Sequence, residues 1–332
     1  MKRKLWTLAV YVALCTTACD ARGTQMRAAQ TAPASAEAET RTAQTAPASA
    51  EAETENSQVP VSDQEKEAEN HMKVMSYNIY YKEAEERSEE IRKLIAKHQP
   101  DVLMLQEASA QWVPYLQEFM EENSYSYYGY GRLGGEMSQE GLPDREQFTP
   151  ILWKTDRYTM ADSGHFWLSS TPEVYSSDWA DGVTSNYPRC VNWVILQDQD
   201  TGGEFMAVCV HTDPESEAVR NRSSQLIVER INELRGDLPA VMAGDWNMGI
   251  ADNAYTTVTE GGYPDARFRA ETTTYSGTFN DWGKRDAGSF AFGDYIFTTE
   301  DMEASSFEVV DDRVDGVHIS DHCPVAAEIY YK

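Results

Sequence analysis

From residue 73 onward, apolar positions fall into short continuous runs separated by polar, Gly- or Pro-bearing stretches. Short runs predict strands, and apolar residues every three or four positions predict helices. Strands are expected at 73–79, 101–106, 126–131, 149–154, 164–168, 191–196, 204–211, 240–243, 294–298, 307–310 and 324–331. The spacing predicts a helix over 88–97, with Ile91, Leu94 and Ile95 on one face and Pro100 as the stop, and another over 111–121. A third, over 217–234, carries Val219, Leu226, Ile227, Ile231 and Leu234 on its apolar face, with Gly236 beyond it as a C-terminal cap. The stretch Asp198-Gln199-Asp200-Thr201-Gly202-Gly203 joins two runs as a hairpin. Many strands with few, well separated helices point to a sheet sandwich with helices on the outside.

The first 72 residues read differently. Lys2, Arg3 and Lys4 precede an apolar stretch from Leu5 to Leu14, then small residues, which is a secretory signal pattern over 1–19. The stretch is too short for a membrane span of roughly 20 residues. Cys19, after Ala18, is expected to be lipidated as in bacterial lipoproteins, which makes the protein surface-held and membrane-associated only through that anchor; the alternative is ordinary cleavage nearby and a secreted protein, and both readings are extracytoplasmic. Residues 20–72 repeat Ala-Gln-Thr-Ala-Pro-Ala-Ser-Ala-Glu-Ala-Glu-Thr at 29–40 and 43–54. With almost no aromatic or branched apolar residue to offset ordering entropy, this segment is expected to be a disordered tether. The body, 73–332, is one domain's worth and is expected to be a monomer.

Charge narrows the partners. The leader holds three basic groups, and 20–72 holds four basic against ten acidic, so the body keeps about −24 of the formal −27. A protein that grips long nucleic acid shows a basic face, so no stable nucleic-acid complex is expected. Cys190, Cys209 and Cys323 are odd in number and scattered, with neither a disulfide framework nor a zinc spacing, and read as buried thiols.

Polar residues stand at the ends of the apolar runs: Glu107, His211, Asp245 and Asp321 each sit where a strand meets a loop. Ser320-Asp321-His322-Cys323-Pro324 offers a carboxylate and an imidazole, and Gly244-Asp245-Trp246-Asn247 a carboxylate and an amide. Together they supply a metal ligand, a proton-transfer group and an anion donor, the inventory of metal-assisted phosphoester hydrolysis. Taken alone, Gly-Asp-x-Asn is equally a tight turn, and Asn78 a turn former after a strand.

Asn78 in Met75-Ser76-Tyr77-Asn78-Ile79, Glu107 after Leu103-Met104-Leu105-Gln106, His211 in Val210-His211-Thr212, Gly-Asp-x-Asn at 244–247, Asp294 in Gly293-Asp294-Tyr295-Ile296-Phe297, and Ser-Asp-His at 320–322 occur in this order. The body resembles the endonuclease/exonuclease/phosphatase superfamily, the fold of pancreatic deoxyribonuclease, over its whole length. The resemblance implies an α/β fold: a four-layer α-β-β-α sandwich of two packed mixed sheets with outer helices and a site at one edge. It implies Mg²⁺, or Mn²⁺, held by Glu107 with Asn78 and Asp321. His322 would be oriented by Asp294, and either Asp245 or His322 would act as general base. Asn247 and His211 would hold the substrate phosphate, with His211 alternatively the acid. Glu146 is expected to orient His211, and Arg189 to reach a phosphate oxygen bidentately. Tyr125, Tyr127, Tyr128 and Tyr130 are expected to pack rather than line a groove. Phe166-Trp167-Leu168-Ser169-Ser170-Thr171-Pro172 with Pro188-Arg189 resembles a bacterial branch of secreted metal-dependent hydrolases.

The expected function is hydrolysis of a small or lipid phosphoester. A surface nuclease is the alternative, and a non-catalytic binding module on the same fold a third reading.

Overall fold

The computed structural model describes residues 71–274, 276–285 and 291–331. The signal, Cys19 and the tether through residue 70 lie outside the described residues. In chain order the elements are β1 (His71–Asn78), α1 (Ala84–His98), β2 (Val102–Gln106), β3 (Ala108–Ser109), α2 (Val113–Asn123), β4 (Tyr125–Tyr128), β5 (Gln147–Phe148), β6 (Ile151–Lys154) and β7 (Tyr158–Trp167). They continue with β8 (Cys190–Asp198), β9 (Glu204–His211), α3 (Glu217–Arg235), β10 (Ala240–Asp245), α4 (Asn253–Glu260), α5 (Ala266–Arg269), β11 (Thr272–Thr273) and β12 (Asp294–Thr298). The last are β13 (Met302–Val309), β14 (Arg313–Val314), β15 (Val317–His318) and β16 (Val325–Tyr331).

Two mixed sheets carry the fold, ordered β11-β13-β16-β1-β2-β6-β4 and β12-β10-β9-β8-β7. Period-two side-chain alternation explains why the central strands are apolar throughout. In β2, Val102 and Met104 join the core between the sheets, while Leu103 and Leu105 pack outward with Ile91 and Ile95 of α1 and Leu116 and Phe119 of α2. In β9, Phe205 and Ala207 face the other sheet, and Met206, Val208 and Val210 pack with Ile227 and Ile231 of α3. Both strand faces are buried, so the run cannot alternate with polar residues. The result is four layers, α-β-β-α.

The two sheets have like centres. Strand β1 runs parallel to β2 and antiparallel to β16; β10 runs parallel to β9 and antiparallel to β12. The ends of these six strands supply the candidate site.

Several expected elements change extent, two of them for plain physical reasons. Helix α1 starts at Ala84, ahead of its expected start, with Glu85 and Glu86 in its first turn, where acidic side chains oppose the positive end of the helix dipole. Strand β7 begins at Tyr158 rather than 164; its first half is mostly exposed at the sheet edge, so no apolar run marks it. Cys190, Cys209 and Cys323 are buried free thiols. Tyr125 is buried and stacks on Phe119 at 5.5 Å between ring centres, and Tyr130 stacks on His165 at 3.6 Å, so both serve packing.

Candidate active site

Register brings the polar residues together. Asp245, the last residue of β10, pairs with His211 of β9 on one side and Asp294 of β12 on the other. In the facing sheet, Asn78 ends β1 opposite Gln106 of β2, and Glu107 follows. Asp321 and His322 lie just before β16. The half-sites meet where the Asn78 amide donates to Asp245 Oδ2 at 3.1 Å.

The backbone turns sharply here. Glu107 (φ 59°), Asn247 (φ 49°) and Tyr80 (φ 57°) are all left-handed, a conformation that surrounding structure must enforce and that concentrates at functional sites. Tyr80 N–H donates to Asn78 Oδ1 and Tyr81 N–H to Glu107 Oε2, each at 3.1 Å. Asn247 N–H donates to Asp245 Oδ1 at 3.0 Å, an Asx-type turn. The turn reading of Gly-Asp-x-Asn therefore holds for Asp245 and Asn247, at the end of a strand that delivers Asp245 to the site. The Asn247 amide donates to Thr212 O at 3.3 Å, which keeps it beside the loop after β9.

His322 is held by Asp294, with Nδ1 2.8 Å from Oδ2, and its Nε2 lies 3.8 Å from Asp245 Oδ2. The carboxylate fixes Nδ1 as the protonated nitrogen and turns Nε2 toward Asp245. Burial opposes charge on this ring, but Asp294, Asp245 and Asp321 outweigh it and hold His322 well above the usual histidine range. Burial, with Asp294 adding and His322 opposing, pushes Asp245 up to about 7. Asp294 Oδ1 is buried with no hydrogen-bond partner among the described residues.

His211 has the opposite character. Its Nδ1 lies 3.2 Å from Arg189 Nη1, and its Nε2 lies 3.5 Å from Asp245 Oδ2. A guanidinium only donates, so Nδ1 is the acceptor and Nε2 carries the proton, aimed at Asp245. Burial, then Arg189, His322 and Arg132, push His211 well below its usual range, which keeps it neutral.

One expectation is corrected here. Glu146 does not orient His211: its buried carboxylate accepts the backbone N–H groups of Leu133, Gly135 and Gln147, at 2.8, 3.3 and 3.2 Å. A buried carboxylate needs such donors, and the loop after β4 supplies them. Glu146→Ala is expected to destabilise the protein by about 1–3 kcal/mol through those orphaned N–H groups, read as a lower denaturant midpoint. Arg189 is buried with Nη1 against the Nδ1 edge of His211, the edge away from Asp245. It occupies the orienting place expected of Glu146. The Pro-Arg that ends the loop before β8 was the signal for it.

Glu107 and Asp321 are charge neighbours. Burial raises the Asp321 carboxyl, His322 pulls it down, and Glu107 and Asp294 push it up again. Clustered carboxylates with an amide oxygen at Asn78 are the all-oxygen donor set a hard divalent cation takes. On the other side, Asp245, Asp294 and His322 each bring a ligand atom within 4.8 Å of the others. The residues present fit a divalent ion.

A cavity of about 590 Å³ opens at Asp245, Asn247 and His322, lined by Met248, Ile250, Arg267, Phe279 and Phe292.

The sequence profile of the Endonuclease/Exonuclease/phosphatase family matches residues 75–322. No curated protein matches by sequence. Among solved structures, the chain is similar to an endonuclease/exonuclease/phosphatase protein from Bacteroides vulgatus, with a TM-score of 0.70 and 27% identity over 79% of this chain and 99% of that one. It is also similar to a mannosyl-6-phosphatase from Bacteroides thetaiotaomicron, with a TM-score of 0.68 and 27% identity over 78% of this chain and 100% of that one. A D. rerio TDP2 complexed with single-strand DNA product shares the fold, with a TM-score of 0.59 at 17% identity over 78% of this chain and 98% of that one. With its motifs gathered at one edge of a two-sheet sandwich and the family profile spanning them, the chain belongs to the endonuclease/exonuclease/phosphatase family, whose members hydrolyse phosphoric esters.

Proposed function

We propose that this chain is a Mg²⁺-dependent hydrolase of a small or lipid phosphoester, held outside the cytoplasm through Cys19. The observation that carries the reading is the cavity beside Asp245, Asn247 and His322, lined by Phe279, Phe292, Met248 and Ile250 together with Arg267, whose guanidinium stacks on Phe292. Apolar walls next to the reacting groups suit a compact organic or acyl-bearing ester better than a solvated polyanion. The acidity of the body, about −24, supports the same preference.

Hydrolases of this family generally use a divalent metal ion. Glu107, Asn78 and Asp321 are the residues we assign to it; when bound, such an ion supplies positive charge to the phosphoryl oxygens. The chain's own groups do the rest. Asp245, raised to about 7, is the preferred acceptor for the proton of an attacking water, because a base works best near the operating pH. His322, held charged by Asp294, offers its Nε2 proton to the developing oxyanion. His211 aims its Nε2 proton at Asp245 and holds that carboxylate in place, while Asn247 donates to the phosphate.

A panel run with Mg²⁺ or Mn²⁺ tests this: bis(p-nitrophenyl) phosphate, mannose 6-phosphate, inositol phosphates, sphingomyelin and plasmid DNA. The likeness to a mannosyl-6-phosphatase is the reason for the sugar ester. Turnover of a small or lipid ester is expected to exceed plasmid cleavage; the reverse order would establish the nuclease reading. Metal binding without turnover on any substrate would favour the binding module. Glu107→Gln is expected to lower turnover by roughly 10²–10⁴-fold at fixed metal and to raise the metal concentration needed for half-maximal rate. Unchanged metal dependence would remove Glu107 from the ligand set. Globomycin-sensitive processing in cells would test the Cys19 anchor.

A further inference from the structure

Beside the hydrolytic centre lies a second cluster that the proposed reaction does not use. Asp312, His318 and Cys323 bring one carboxylate oxygen, one ring nitrogen and one sulfur within 4.8 Å of each other. Cys323 Sγ lies 3.5 Å from Asp312 Oδ1 and 4.0 Å from His318 Nδ1, and His318 Nδ1 is hydrogen-bonded to Asp312 Oδ1.

The arrangement is not that of an activated nucleophile. In such a relay, thiol and carboxylate sit on opposite ring nitrogens of the histidine. Here both face the same nitrogen, Nδ1, so an oxygen, a nitrogen and a sulfur that can each offer a lone pair once their shared protons leave face one another. That is the geometry of a chelate. A tetrahedral zinc ion with Zn–S near 2.3 Å and Zn–N or Zn–O near 2.0–2.1 Å separates its sulfur from each other ligand by about 3.5 Å. The sulfur–oxygen distance already matches; the His318–Asp312 bond would open to admit the ion.

The surroundings are those of a metal site. Asp312 Oδ2 accepts Tyr77 O–H at 3.4 Å and Ser320 N–H at 3.1 Å, which turns Oδ1 toward the cluster. The Asn280 amide donates to Cys323 Sγ at 3.6 Å. Such outer partners orient ligands and tune their basicity. A cavity of about 170 Å³ lined by His318 and Cys323 gives an entry path and room for a water as fourth ligand.

We propose that Asp312, His318 and Cys323 form a second metal site, distinct from the Glu107 centre, for a cation of intermediate softness of the Zn²⁺ class. Mixed nitrogen, sulfur and oxygen donors select such an ion over Mg²⁺. On binding, the Cys323 thiol releases its proton to solvent, and the proton shared between His318 Nδ1 and Asp312 Oδ1 leaves for His318 Nε2 or for solvent; the sulfur, the Asp312 oxygen and the His318 nitrogen then each donate a lone pair. Asp321 and His322 stand between His318 and Cys323 in sequence, so an ion here ties down the segment that carries them.

The test uses the full chain freed of metal by a chelator and titrated with Co²⁺ as a coloured stand-in for Zn²⁺. A saturable thiolate-to-cobalt charge-transfer band is expected, discharged by Zn²⁺ and not by Mg²⁺. Cys323→Ser should abolish it, and Glu107→Gln should leave it intact. No band in the wild-type protein overturns the proposal. So does a band that survives Cys323→Ser, which would belong to another of the chain's five cysteines, or one lost in Glu107→Gln. If circular dichroism shows Cys323→Ser unfolded, Asp312→Asn takes its place: at least a tenfold loss of Co²⁺ affinity supports the site, and unchanged affinity overturns it.

Discussion

Asp294→Asn is expected to reduce phosphoester turnover by roughly 10²–10⁴-fold in a protein that remains folded. Asp294 is fully buried at the start of β12, with Oδ2 2.8 Å from His322 Nδ1. Asparagine has the same shape and keeps the backbone bond from Asp294 N–H to Thr278 Oγ1 at 3.3 Å, so the strand need not move. What it removes is the charge. Burial opposes the imidazolium, and Asp294 is the largest influence that keeps His322 charged. Without the carboxylate the ring loses the largest of the charges that keep it protonated, and its amide neighbour can turn an N–H toward Nδ1 and move the ring proton to the wrong nitrogen. The loss should appear in kcat with KM little changed, because the charged Nε2–H is needed as negative charge develops on the phosphoryl oxygens. A wild-type kcat at saturating metal would remove the Asp294–His322 pair from the reaction.

Gly244→Ala is expected to be the most damaging change outside the polar residues. A Cβ at position 244 would meet the carbonyl oxygen of Val210 at 1.8 Å and its carbon at 2.7 Å. Both are backbone atoms of β9, in register with Gly244, so no rotamer relieves the clash. The strands must separate where β10 delivers Asp245 beside His211. A cost on the order of 3–5 kcal/mol, or roughly 10 °C in Tm, is expected, with activity lost in parallel. A variant with unchanged Tm would show that β9 and β10 do not pack so closely. Gly244 reads in sequence as one of several turn formers; its actual service is the close approach of two parallel strands.

Legibility followed burial. The central strands were visible because both of their faces are covered, which leaves an unbroken apolar run. The expected boundaries of β12 match the structure to the residue. The exposed first half of β7 left no such trace. Helix α4 was missed although Ala254 and Val258 lie one turn apart and are its buried pair; in eight residues that signal is faint. Within the site, the residues at the mouths of buried strands stood out, since a Glu or Asp directly after an apolar run has no ordinary reason to be there.

What the chain order alone determined is the set of chemical groups and the layers that carry them: alternating burial dictates two covered sheets, and ordered polar residues at their ends dictate where the groups emerge. Only the tertiary structure decided how those groups address one another. His211 takes Arg189 rather than Glu146 as its partner, Asn78 crosses from one sheet to Asp245 of the other, and Cys323 turns away from the cleft toward Asp312 and His318. Side-chain pairing depends on strand register and on which buried charge or N–H lacks a partner, and both arise from contacts between distant segments, as in the Ser320 hydroxyl bound to Asn78 O, 242 positions away. Local pattern carries no record of such distances.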